Sequence, residues 1–217
     1  MATQIHDINA VASSIREFWI SVRTAAKMMS PKVLVDSPKL DANEIARILD
    51  QADLWLCTSS VEGFEQADLD FLSDEERVKL CDCVEKFRMV ADKVLPTGPA
   101  TSKQVSEARP QFQGILEIVR PDKYGDPESF VVGKLLEQRL DGRFPDWVKD
   151  LRIESGFDST GDSAIWIWVE IADEAANNRD LLKNYTSVQE LLRRELKSIG
   201  EARWPYIRIR TVSEQSA

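Results

Sequence analysis

Apolar residues recur with helical spacing through the first half of this chain and switch to strict alternation near its end. From about Ile5 to Met29, the residues Ile8, Ile15, Val22 and Met29 repeat with Val11, Phe18 and Ala25 between them and Ala12, Trp19 and Ala26 alongside. This predicts one long helix with a wide apolar stripe, suited to a bundle or to packing against a second copy of itself. Pro31 and Pro38 bracket a connector, after which Asp41-Ala42-Asn43-Glu44 reads as a helix cap. The helix it opens presents Ile45, Ile48, Leu49, Ala52, Trp55 and Leu56. Residues 58–72 read as a loop carrying Phe64, Leu69, Phe71 and Leu72.

Ser73-Asp74-Glu75-Glu76 has the form of a capping box, and the helix beyond it is predicted to bury Leu80, Cys81, Val84, Phe87, Ala91 and Val94. A fourth helical pattern runs from about Ser102 to Val119, with a kink or break expected at Pro110. Together these segments predict a helical bundle over residues 1–120. Residues 121–127, Pro121-Asp122-Lys123-Tyr124-Gly125-Asp126-Pro127, gather turn-formers and read as a linker.

Residues 128–212 then predict an α-β-β-α-β order. A helix spans about Glu128 to Leu140, and a strand falls near Leu151-Arg152-Ile153-Glu154. A turn at 156–162 follows, and Ile165-Trp166-Ile167-Trp168-Val169-Glu170-Ile171 is the second strand of a hairpin. A helix opening at Ser187 and ending at Gly200 precedes a last strand, Tyr206-Ile207-Arg208-Ile209-Arg210, with Pro205 before it. Residues 213–217 read as a tail. The fold class is α+β: an N-terminal helical bundle and a small sheet region, partly ferredoxin-like, with helices on one face.

Composition narrows the functions open to such a fold. The net charge of −9 over 217 residues, acidic in both halves, leaves no polycationic segment to draw in a phosphate backbone, so nucleic acid is a disfavoured partner. No apolar run approaches the length of a membrane span, and Met1 to Asn9 lacks the pattern of a secretion signal, so a cytoplasmic protein is expected. Three cysteines, Cys57, Cys81 and Cys83, suit reduced thiols. Cys81 and Cys83 point about 200° apart on a helix and cannot share a metal ion. His6 is the sole histidine, which removes histidine triads and multi-histidine metal sites. No glycine-rich phosphate loop is present. Neither a cofactor, a catalytic group nor a metal site is therefore predicted.

The candidate chemistry lies in the two alternating strands. One set of side chains is aliphatic; the other collects Arg152, Trp166, Trp168, Tyr206, Arg208 and Arg210 on one predicted sheet face. Trp, Tyr and Arg are the preferred anchors of protein interfaces, and aromatic rings with guanidinium groups also hold single-stranded nucleic acid. The face could equally pack on the helical bundle, with Arg stems lying over Trp rings. A second constellation, Asp158 and Asp162 around Ser159-Thr160-Gly161 with Glu154 and Glu170 nearby, offers oxygen ligands for magnesium or calcium, although the same residues build ordinary hairpin turns. This strand-loop-strand layout resembles that of nucleotidyltransferases. Trp166 and Trp168 stand where that family's paired carboxylates belong, so its activity is not implied.

The sequence thus predicts a non-catalytic accessory or regulatory subunit that binds a protein partner in a cytosolic assembly, with self-association through the first helix as a further route. Single-stranded nucleic-acid binding on the Trp/Arg face is the alternative. A metal-dependent phosphoester enzyme using the Asp158/Asp162 loop is the third reading.

Overall fold

The computed structural model describes residues 7–29, 41–59, 69–177 and 181–216. His6, the connector between Pro31 and Pro38, and Phe64 with most of its predicted loop lie outside them. The fold is α+β, with eight helices and one three-stranded sheet among the described residues. The chain forms two compact units. One is Ser13–Pro121; the other takes the described residues of Asp122–Ala217 and of Met1–Ala12.

All regular structure described within Ser13–Pro121 is helical. The first apolar stripe is carried by two helices, α1 (Ile8–Ser14) and α2 (Arg16–Met28), separated at Ile15. Helices α3 (Ala42–Gln51), α4 (Leu54–Ser59), α5 (Asp74–Val94) and α6 (Ser102–Val119) follow. Phe18, Trp19, Val22 and Ala25 of α2 are buried, and α2 packs against α3, α4 and α6 within this unit.

Local chemistry explains several helix ends. Ser73 accepts from the Glu76 amide while Glu76 accepts from the Ser73 amide, the predicted reciprocal cap. Thr101 and Gln104 repeat the device at the start of α6. At α3 the Asp41 side chain accepts from the Asn43 amide, and Glu44 turns instead to Arg47. Helix α6 continues through Pro110 where an interruption was expected.

One expectation for α5 is corrected. Cys81 is exposed, and Cys83 is the buried thiol. The inward face of α5 consists of Leu80, Cys83, Val84, Phe87, Val90, Ala91 and Val94, a heptad-like spacing that rotates Cys81 out of the seam. Gly114 of α6 makes this seam close, since a β-carbon there would stand 2.5 Å from the Cys83 sulfur. Trp55 stacks on Phe87 in the same core, with centroids 4.8 Å apart.

The other unit carries the sheet. Helix α7 (Pro127–Leu140) leads into β1 (Val148–Phe157), which pairs antiparallel with β2 (Ser163–Ile171); α8 (Leu181–Ser198) then crosses to β3 (Trp204–Thr211), parallel to β2. The order β1-β2-β3 makes β2 central. Because β2 and β3 are direct neighbours, the βαβ unit lacks the intervening strand of a split, ferredoxin-like one. Leu151, Ile153, Ile165, Ile167, Val169, Ile171 and Ile207 form the buried aliphatic face. Helix α7 packs on β1, and α8 packs on α7. Nearly every turn of α7 is buried, Phe130, Val131, Val132, Leu135 and Leu136 included. Gly133 lets the Tyr124 ring lie against the helix, where a β-carbon would come within 2.1 Å of it. Helix α8 ends on Gly200 (φ 85°), with the Glu201 amide bonded to the Leu196 carbonyl and the Gly200 amide to that of Lys197.

Two part-buried polar networks tie the segment before α7 to the sheet. Lys123 pairs with Glu137 of α7 (2.5 Å) and with Asp150 of β1, while Lys134 and the Tyr124 hydroxyl also bond Glu137, at 3.1 and 2.9 Å. In the second network Asp126 caps α7 by accepting from the Ser129 amide (2.8 Å) and hydroxyl, and it accepts from the Ser155 amide of β1 at 3.0 Å. Arg203 continues this network to the Ser155 hydroxyl and forms a two-point pair with Glu201.

Burial alone would push the Asp126 carboxyl up, but hydrogen bonds from Ser129 and Ser155 outweigh it and hold the group below its ordinary value. Its stabilisation is therefore present above the ordinary carboxylate range and is lost as pH falls through the lowered value. Asp126→Ala should cost about 2 kcal/mol at neutral pH, since it leaves a helix N-terminus and a strand amide without their acceptor. In denaturant titrations the gap between the variant and the wild-type chain should narrow below about pH 4.

Candidate surface on the sheet

The face of the sheet opposite the aliphatic core is built in rungs, because aligned residues on neighbouring strands point the same way. Register aligns Glu154, Trp166 and Tyr206; then Arg152, Trp168 and Arg208; then Asp150, Glu170 and Arg210. All six residues singled out from the alternation, Arg152, Trp166, Trp168, Tyr206, Arg208 and Arg210, are thus brought onto one face. A further rung, Gly156-Ala164-Trp204, adds an aromatic ring that the sequence reading missed. Trp204 is 63% exposed. Its signal was available, for it continues the alternation two residues before Tyr206, but Pro205 reads as the residue before the strand. In the structure Pro205 lies within β3, and the backbone alternation turns it away from β2, so its missing N–H removes no ladder bond.

The rings and guanidinium groups interlock. Trp166 stacks on Tyr206 with centroids 4.6 Å apart and planes 17° apart. Gly156 makes room for the Trp166 indole, whose Nε1 would lie 3.2 Å from a β-carbon at that position. The Arg208 guanidinium lies 4.9 Å from the Trp166 ring centroid and 5.7 Å from that of Trp168, and Arg210 lies 5.6 Å from Trp168. Contacts of this kind are worth about 0.5–2 kcal/mol, more as water is excluded. Trp166, Trp168 and Tyr206 are half-buried, and Arg208 is exposed.

The face carries three arginines and three carboxylates. Arg152 pairs with Glu154 at 2.7 Å, Arg210 pairs with Glu170, and Asp150 is held by Lys123. Arg208 differs. Among the described residues it has no carboxylate in ion-pair reach, and its charge rests over two indole rings. Glu170 and Arg210 sit deeper, 9% and 17% exposed, and the Arg210 Nε has no hydrogen-bond partner among the described residues.

The acidic loop follows turn chemistry. Asp158 accepts from the Thr160 amide and hydroxyl and from the Asp162 amide, at 2.8, 2.6 and 3.0 Å. The Thr160 hydroxyl and the Asp162 amide are the leading causes of a lowered Asp158 pKa. The Tyr206 hydroxyl donates to Asp158 at 3.3 Å; desolvation and then the Asp158 charge push the phenol above its ordinary value. Glu170 stands at the far end of the hairpin, beside Asp150, so it does not meet Asp158 and Asp162 as the sequence reading expected. Among the described residues no group of three or more His, Cys, Asp or Glu side chains is placed to hold a metal ion. No helix is long and apolar enough to cross a membrane among those residues.

No family model, curated protein or solved structure matches this chain.

Glu170→Gln should lower stability by about 2–3 kcal/mol, because it leaves the Arg210 charge largely buried without its counter-ion. The shift in the denaturation midpoint measures it; a neutral result would mean that the pair behaves as one in open water.

Proposed function

We propose that this protein is a non-catalytic accessory or regulatory subunit that binds a protein partner, within a cytosolic assembly, through the Trp/Tyr/Arg face of its sheet. The observation that carries this reading is Arg208: an exposed guanidinium spread over Trp166 and Trp168, without a carboxylate partner among the described residues, on a face whose other arginines are paired. Partly desolvated Trp, Tyr and Arg side chains ringed by compensated charges have the make-up of an interface centre. Rings held by their neighbours lose little side-chain freedom on binding, which lowers the cost of association.

The same charge balance argues against a phosphate backbone as the partner. Single-strand binders line their stacking rings with uncompensated cations. Here Glu154 and Glu170 occupy two of the three arginines, and the Trp166 ring already has Tyr206 stacked on it.

Affinity capture from a native lysate, with the wild-type chain and with Arg208→Glu and Trp168→Ala as baits, tests the reading. At least one protein should be retained by the wild type and lost, about tenfold or more, with both variants, while their circular dichroism stays native. Oligonucleotides titrated at low salt should leave the tryptophan fluorescence unchanged. Quenching by an oligonucleotide, together with capture that is indifferent to Arg208, would reject it.

A further inference from the structure

Among the described residues, strand β3 is paired on one side only. Its even-numbered backbone groups face β2, as the Val212 amide does in bonding the Ile171 carbonyl, so those of Pro205, Ile207, Ile209 and Thr211 face outward. Both ends of that outer edge are closed. Pro205 has no N–H, and the Thr211 amide is capped by Glu214 at 2.8 Å. Between them the Ile207 carbonyl accepts from the Tyr185 hydroxyl at 2.6 Å and keeps a second lone pair. The Ile207 amide and both backbone groups of Ile209 have no partner among the described residues. Unpaired groups of this kind are a template for a further strand.

From this edge we infer that the partner supplies an extended acidic segment, which adds to β3 as a fourth strand centred on Ile207–Ile209. The inference rests on the proposed function above and names how that surface is used. Side chains of an added strand beside Tyr206, Arg208 and Arg210 project onto the Trp/Tyr/Arg face. Among the described residues the Arg208 guanidinium is the arginine on that face without a carboxylate, so an acidic side chain aligned with it completes the row. Trp204, exposed at the start of β3, offers apolar contact to a residue further along.

A second copy of this chain does not fit the same edge. Antiparallel pairing of two β3 strands sets Arg208 opposite itself, opposite Arg210 or opposite Tyr206, and the first two registers place like charges together. The third leaves Arg208 still without a carboxylate. Charge complementarity therefore selects an acidic segment from elsewhere.

The test uses the full-length chain, isotope-labelled for amide resonances, with two capped peptides as probes: one alternating valine and glutamate, the other alternating valine and lysine. The glutamate peptide should shift the Ile207 and Ile209 amides and slow their hydrogen exchange, and it should bind about tenfold or more tightly than the lysine peptide. Arg208→Glu should reverse that preference. Ile209→Pro removes an N–H that faces away from β2, so it should leave the fold intact and abolish binding of the glutamate peptide. Equal binding of the two peptides, or edge amides that do not respond, would overturn the inference. So would an Ile209→Pro bait that still captures a protein lost on Arg208→Glu; in that case the face binds its partner and only the added strand is wrong.

Discussion

A strand paired on both sides has spent its backbone hydrogen bonds, so what it contributes beyond the sheet leaves through side chains alone. Strand β2 is in that position, antiparallel to β1 and parallel to β3. Its alternation divides the unit into two chemistries. Ile165, Ile167, Val169 and Ile171 seal the core, while Trp166, Trp168 and Glu170 stand on the other side, held in register by the same ladder. A slip of one residue would exchange the two sets and bury the tryptophans with a glutamate, so the aliphatic core also enforces the composition of the outer face.

Charge is handled differently at different depths of this unit. Where α7 meets β1, Lys123 pairs with Glu137 and Asp150, and Lys134 pairs with Glu137. Burial would raise the Glu137 carboxyl, and the two lysines overcome that and hold it low. At the outer face Arg152 and Arg210 are likewise paired. Among the described residues of this face, Arg208 is the arginine without a carboxylate, and aromatic faces take that place. A cation kept on two rings in a water-facing position remains able to accept an anion, which is what distinguishes this surface from the compensated charges around it.

Much of the sheet could be read from the chain because period-two alternation and turn residues are local signals. The α-β-β-α-β order, the Ser73–Glu76 cap and the Gly200 helix end all rest on residues within a few positions of one another. What was not legible depended on tertiary partners. No glycine or proline marks the separation of α1 from α2 at Ile15, and α8 begins at Leu181, before the cap-like Ser187. Cys83 is inside because Gly114 of another helix makes room for it. Half of the polar face was visible as a list of residue types. Their rungs, the carboxylates that neutralise two of the arginines, and the place of Trp204 beside them follow from strand register, which no single strand encodes.

The account turns on whether the Trp/Tyr/Arg face is a surface that a partner covers. Hydroxyl-radical footprinting, run on the purified chain and on the same chain in intact cells, reads the accessibility of Trp204, Tyr206 and Trp168 in both settings. The account predicts ready oxidation of these residues in the purified chain, with Trp204 the most reactive, and clear protection of all three in the cell. Equal reactivity in the two settings would contradict it.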